Sequence, residues 1–233
     1  MARPKKNEQQ TDLRERIMTA AWAQIANDGA PALSLRAIAR DLHITAPAIY
    51  NYFPDRDALV TALIVAAFDS FADAQETAVA DLPSANHKAR LLALGQAYRT
   101  WAITYPERYQ LIFGTPIAGY HAPLEITGPA AARSLTVIVD VLAAADAAGE
   151  LQVLQIVPMP PEVDAMLCQW QSGRAANVSS TALYLALMMW AQVHGLVSLE
   201  IGGQFPSFVV DSGALYQHEL ARLTQQLITV VTT

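Results

Sequence analysis

Residues 34–57 read SLRAIARDLHITAPAIYNYFPDRD, and this run decides the fold. Ser34 can cap a helix, because its hydroxyl accepts from backbone N–H groups that have no helical partner one turn on. Leu35, Ile38, Ala39 and Leu42 then fall on one face at helical spacing. His43 and Ile44 make a turn, and Thr45 is positioned as the cap of a second helix. Pro47 sits in that helix's first turn, where a missing N–H costs little. Ile49 and Phe53 point back to the same core as Leu42 and Ile44. The opposite face is left outward, and it carries Ala46, Pro47, Tyr50, Asn51 and Tyr52.

Small apolar groups, hydroxyls and an amide on one exposed helix suit the major groove of a duplex. Apolar carbons meet thymine methyls, Asn bridges adenine, and hydroxyls reach phosphates. The pattern is a helix-turn-helix, and its details resemble the TetR family of transcriptional regulators. The resemblance rests on Ile38-Ala39 and on Ile49-Tyr50-Asn51-Tyr52-Phe53. It rests also on the preceding helix, Ile17 to Gly29, with its closing glycine. It implies that Arg36 reaches a base from the first helix of the motif. Thr45, Tyr50 and Tyr52 would meet phosphates, with Tyr50 also touching a base. Arg56 stands where the family usually has a phosphate-gripping Lys. Two positions depart from the pattern, since His43 replaces a common Gly and Ala48 a frequent Thr.

At 233 residues and 53% hydrophobic content the chain can bury a full core. The formal charge of -6 argues against a nucleic-acid partner until it is divided along the chain. Residues 1–56 carry a net +2 and the remainder -8, so the basic charge is confined to the segment with the motif. Cys168 is the single cysteine, which leaves no internal disulfide and no cysteine-based zinc site. The N-terminus lacks the apolar core of a signal peptide, so a cytoplasmic location is expected. There is no nucleophile elbow, P-loop, dinucleotide fingerprint or His-Glu-x-x-His, and the histidines at 43, 87, 121, 194 and 218 are scattered. No enzyme activity, cofactor or metal is expected.

The reading is therefore all-α: a basic arm over 1–10, a DNA-binding domain over 11–56, and a helical body over 57–233. A helix from Pro54-Asp55 toward Ala80 follows the motif, then helices over about 86–104, 106–113, 129–148 and 161–172. Residues 114–123 and 149–161 are too rich in Gly and Pro for an element. Residues 180–201 form a helix apolar nearly all round and long enough to span a membrane. Gln192, His194, Ser198 and Glu200, with no flanking basic residues, argue for a covered helix in a protein without a membrane partner.

In the last helix Tyr216, Leu220, Leu223, Leu227 and Val230 recur at spacings of 4, 3, 4 and 3. That seam, with Leu187 and Trp190, is expected at a homodimer interface. Trp190, Val193, His194 and Gly195, followed by a Gly-Gly turn, resemble the C-terminal domain of one TetR subgroup. A dimer is also what DNA reading needs, since two heads about 34–36 Å apart read a palindromic operator in successive major grooves. The body exceeds what dimerisation requires. Tyr98, Trp101, Tyr109, Tyr120, His121, Met166, Cys168, Trp170 and His194 would line a site for a small, largely apolar effector. The expected function is a repressor released by that effector. The alternative is a helical dimer acting through protein contacts alone.

Overall fold

The computed structural model describes residues 6–152, 159–171 and 178–228, and the described residues form helices with no named strand. The helices are α1 (Lys6–Asp28), α2 (Leu35–Asp41), α3 (Ala46–Tyr50), α4 (Arg56–Ala80), α5 (His87–Thr104) and α6 (Pro106–Phe113). They continue with α7 (Leu124–Ala147), α8 (Pro161–Gln171), α9 (Ser180–Ile201) and α10 (Ser212–Leu227). A short 3-10 turn, Ala30–Ala32, joins α1 to α2. Of the expected basic arm, residues 1–5 lie outside the described residues.

The chain divides into two compact units. The first runs to Ser70 and adds Tyr105–Ala132; the second comprises Phe71–Thr104 and the chain from Arg133 onward. The division thus differs from the boundary expected after residue 56, because Leu111, Ile112, Ile117 and Tyr120 pack on the helix-turn-helix core. That core is Ile17, Ala21 and Ile25 of α1, Leu35, Ile38 and Ala39 of α2, Ile49 of α3, Phe53, and Leu59, Val60 and Leu63 of α4. Apolar residues three and four apart on each helix converge here, which is what sets the helix directions.

In the second unit α10 packs against α5 and α9, and α8 against α9. Tyr216, Leu220, Leu223 and Leu227, expected to face a second copy, are buried inside their own chain. The Tyr216 hydroxyl donates to the Gly95 carbonyl at 2.5 Å. A regular apolar seam marks a buried face without saying which chain covers it, and here α5 and α9 do. Val230, the seam's last expected member, lies outside the described residues.

Helix α9 buries Ala182, Leu183, Ala186, Met189, Val193 and Val197, but Leu187, Met188 and Leu199 remain exposed. It is long and apolar enough to cross a membrane, yet one whole face is packed against neighbouring helices. A further correction concerns α7, which begins at Leu124 and holds Pro129 inside it, five residues before the expected start. The donor that Pro129 lacks would have bonded the carbonyl of Glu125, an exposed residue whose carbonyl water can serve.

Candidate nucleic-acid interface and body clusters

Ser34 caps α2 as its sequence suggests, its Oγ accepting from the Ala37 N–H at 3.4 Å, while its own N–H donates to Gln24 Oε1 at 2.9 Å. The turn that follows is closed by backbone bonds. The Ile44 N–H donates to the Ala39 carbonyl at 2.9 Å and the His43 N–H to the Arg40 carbonyl at 3.1 Å. This Schellman closure puts His43 at φ 54, in the left-handed region. The family's glycine is explained by that angle. His is one of the side chains that tolerates the region, so the turn survives the replacement.

Helix α3 is short and held by Ile49, which is wholly buried, with Phe53 just beyond it. Thr45 stands at its cap with no side-chain bond to the helix, so its hydroxyl is not consumed there. Thr45, Pro47, Tyr50 and Asn51 are exposed, Ala46 and Tyr52 half-buried, and Arg36 and Arg40 of α2 are exposed beside them. Tyr50 is 44% exposed although aromatic. None of these expected reading residues is buried.

Arg56 does not join them. Its Nε donates to the Leu33 carbonyl at 3.2 Å, and its Nη2 to the carbonyls of Ala30 and Pro31 at 3.0 and 3.2 Å. The guanidinium clamps the loop between α1 and α2, so the phosphate grip implied by the family's Lys is not available without breaking that clamp. A second Arg carries a role with no signal in the sequence. In the first unit, Arg108 of α6 lies 5.3 Å from the Trp22 ring of α1 and 4.3 Å from Tyr105, and its Nη1 donates to Ser70 Oγ at 3.3 Å. This cation–π stack fastens α6 to α1.

The residues expected to line one effector site fall in separate places. Tyr98, Trp101 and His194 meet in the second unit, where Phe71 stands edge-on to Tyr98 and 4.9 Å from the Trp101 ring. Tyr98 Oη lies 2.8 Å from His194 Nδ1, and the imidazole stacks on Trp190 at 5.0 Å. Burial lowers the His194 pKa from its ordinary value. Tyr120 and His121 belong to the first unit, where they border an open groove of about 580 Å³, and Tyr120 Oη lies 2.8 Å from Thr61 Oγ1. Tyr109 is buried against Phe113 in that unit. Met166 edges an apolar cleft in the second unit, and exposed Cys168 has its Sγ 3.6 Å from Ser180 Oγ. The side chain of Trp170 lies outside the described residues. Aromatic and polar residues marked a lining in the sequence, but Tyr98, Trp101 and Tyr109 are buried in packed cores while His121, Met166 and Cys168 are exposed.

Among the described residues no three His, Cys, Asp or Glu side chains are grouped to hold a metal ion. A mostly buried charged cluster in the body joins α5, α9 and α10. Arg99 forks onto Glu200 at 2.8 and 2.6 Å, and the Ser212 hydroxyl donates to the same carboxylate at 2.7 Å. The Arg99 bonds first, with Ser212 adding, hold the Glu200 pKa below the usual value against the effect of burial.

Comparison with known proteins matches residues 17–63 to the family of bacterial regulatory proteins of the tetR type, and residues 91–223 to the tetracyclin repressor-like C-terminal domain. The chain is 31% identical over 225 residues to the HTH-type transcriptional regulator Rv1816 of Mycobacterium tuberculosis, covering 96% of this chain and 95% of the relative. The crystal structure of SCO4313, described as a regulatory protein, shares 40% identity at a TM-score of 0.76, covering 94% of this chain and 98% of that one. At 17% identity and a TM-score of 0.51, a TetR variant of Acinetobacter baumannii, solved with minocycline, shares the fold; 89% of this chain and 92% of that one are covered.

Proposed function

The chain belongs to the TetR family of transcriptional regulators, helix-turn-helix proteins that bind DNA, and from that premise we propose how this one does so. It acts as a homodimer in the cytoplasm, placing α3 of each copy in successive major grooves of a palindromic operator. The observation that carries this reading is the outward surface of α3, with Pro47, Tyr50 and Asn51 exposed while Ile49 anchors the helix from behind. Asn51 would bridge adenine and Arg36 guanine, Ala46 and Pro47 would meet thymine methyls, and Thr45, Tyr50 and Tyr52 would hold phosphates. Trp190, Val193, His194 and Gly195 mark the C-terminal subgroup to which we assign the chain.

The regulator represses, and a small, largely apolar effector releases it. This rests on a body larger than dimerisation needs and on the minocycline held by a protein of the same fold. Recognition is assigned to the edge of the Tyr98, Trp101 and His194 cluster, where an apolar ring would meet one hydrogen-bonding pair. The effector must bind the released conformation better than the DNA-competent one, or no release follows.

The test is a gel shift against the DNA flanking the protein's own gene, repeated over a range of salt. A dimer neutralising several phosphates loses affinity steeply as salt rises. Binding that ignores salt and survives Tyr50→Ala would refute the DNA reading. An operator affinity unmoved by every apolar compound in a screened set would refute the effector.

A further inference from the structure

Along the outward face of α9 Met188, Ala191 and Leu199 are exposed and Tyr184 and Gly195 half-buried. Tyr184, Met188, Ala191, Gly195 and Leu199 recur along it at spacings of 4, 3, 4 and 4. Met188 and Leu199 are exposed, and a Cβ built on Gly195 would meet nothing within 4 Å. Two other features of the same unit adjoin this face. Leu187, at its edge, also lines a cleft of about 190 Å³ with Leu135, Val139, Met166 and Leu183, and no polar side chain borders the cleft. Beyond the far end of α9, the turn that follows Gly203 carries Phe208 and Val210, 81% and 93% exposed.

Each feature alone is unfavourable in water. Water in an apolar cleft lacks polar partners. A phenyl ring left wet forgoes roughly 1.5–3 kcal/mol of burial. An apolar cavity of about 150 Å³ accepts one benzene, so a cleft of about 190 Å³ has room for the ring of Phe208.

We propose that a second copy of this chain resolves both. In this dimer α9 runs antiparallel to its counterpart about a two-fold axis near Ala191, and each copy inserts Phe208 into the other's cleft between Met166 and Leu187. Antiparallel pairing centred on Ala191 sets residue 203 opposite residue 179, so the turn carrying Phe208 passes over the start of the other α9, where Leu183 and Leu187 line the cleft. A two-fold contact needs knob and hole on one chain, and this chain presents both. Leu187 belongs to the stripe and to the cleft, which makes the two one continuous surface. The cleft is complete only in the dimer. The proposal rests on the homodimer of the proposed function and adds to it a register and an anchor.

The experiment uses full-length protein in a Cys168→Ser background. Differently tagged chains carrying Phe208→Cys and Met166→Cys are mixed, exchanged and oxidised, and a disulfide joining the two tags is expected on a non-reducing gel. Ala191→Cys alone, at the two-fold axis where each copy meets itself, reports whether α9 pairs with its copy. If Ala191→Cys crosslinks and the mixed pair does not, the insertion is wrong and the dimer stands. If neither crosslinks and sedimentation shows a monomer, the dimeric reading fails and takes the insertion with it. Phe208→Ser should weaken the dimer by roughly a hundredfold or more, since two rings are lost. Its far-UV spectrum should be unchanged, because the ring touches little within its own chain. A wild-type dimer whose melting temperature rises with added benzene would make the cleft a small-molecule site and overturn the proposal.

Discussion

Gly95 of α5 leaves no room for a side chain beneath α10, and Gly95→Ala tests whether α10 lies as close to α5 as the Leu220 contact requires. A Cβ at this position would lie 2.3 Å from Leu220 Cδ1, 2.8 Å from Cδ2 and 3.1 Å from Cγ. Ordinary carbon contacts are about 3.5–4.0 Å, so the added methyl overlaps the leucine by more than an ångström. Leu220 is only 4% exposed, and the Tyr216 bond to the Gly95 carbonyl resists any widening of the two helices. Overpacking of this kind costs about 1–3 kcal/mol. Replacing a mid-helix glycine by alanine returns about 0.5–1 kcal/mol. The net loss is then about 0–2.5 kcal/mol, and each kcal/mol lowers the melting temperature by about 2–4 °C in a chain of this size.

Far-UV circular dichroism in urea measures the loss, and a double-mutant cycle identifies its cause. Leu220→Ala alone should cost about 2–5 kcal/mol through its cavity. Together with Gly95→Ala it should cost less than the two summed, because the new methyl enters the space the leucine vacated. A cycle that is additive would refute the packing of α10 on α5.

The remaining predictions concern the reading unit and the body's charges. His43→Gly relieves a left-handed residue worth about 1–2 kcal/mol against about 0.4–1 kcal/mol of unfolded-chain entropy, so thermal melting should rise slightly with operator affinity unchanged. Tyr50→Ala should weaken operator binding in a gel shift while stability stays within about 0.5 kcal/mol. Arg56→Ala should instead lower the urea midpoint, since charged hydrogen bonds to carbonyls contribute about 1.5–3 kcal/mol; unchanged stability with lost binding would return Arg56 to the phosphates. Glu200 is depressed in the fold by Arg99 and Ser212, so its contribution is present above its ordinary value of 4.5 and disappears as pH falls through the lower folded value. Urea midpoints should fall more steeply below pH 4.5 in the parent than in Glu200→Gln. His194 is lowered by burial, so its contribution is present above 6.5 and is lost as pH falls toward the folded value; His194→Gln should flatten that part of the profile.

What the sequence made legible follows from which forces are local. Ser34, Asp55 and Ser179 act within a turn of their own positions, and Gly29, Gly149 and Gly203 close turns by their own angles, so punctuation alone nearly fixed α2, α4 and α9. The inward face of α3 was legible for the same reason, because Ile49 and Phe53 share a helical face. Arg56 misled because its partners, the carbonyls of Ala30, Pro31 and Leu33, lie more than twenty residues away. A positive charge at the start of a helix reads alike whether it meets a phosphate or a loop. The seam of α10 misled differently, since its spacing states that the face is covered and α5 was as able to cover it as a second chain.

That distinction also moves the expected interface. Once Tyr216, Leu220, Leu223 and Leu227 are taken by α5 and α9 of their own chain, an apolar surface that stays exposed among the described residues is the outer stripe of α9, where Leu187, Met188 and Leu199 stand. Of the residues expected at the interface, Leu187 lies at the edge of that stripe, while half-buried Trp190 is stacked on His194. A residue pattern therefore predicts burial more securely than it predicts the neighbour. The neighbour is found by asking which apolar surface remains wet after the chain has covered what it can.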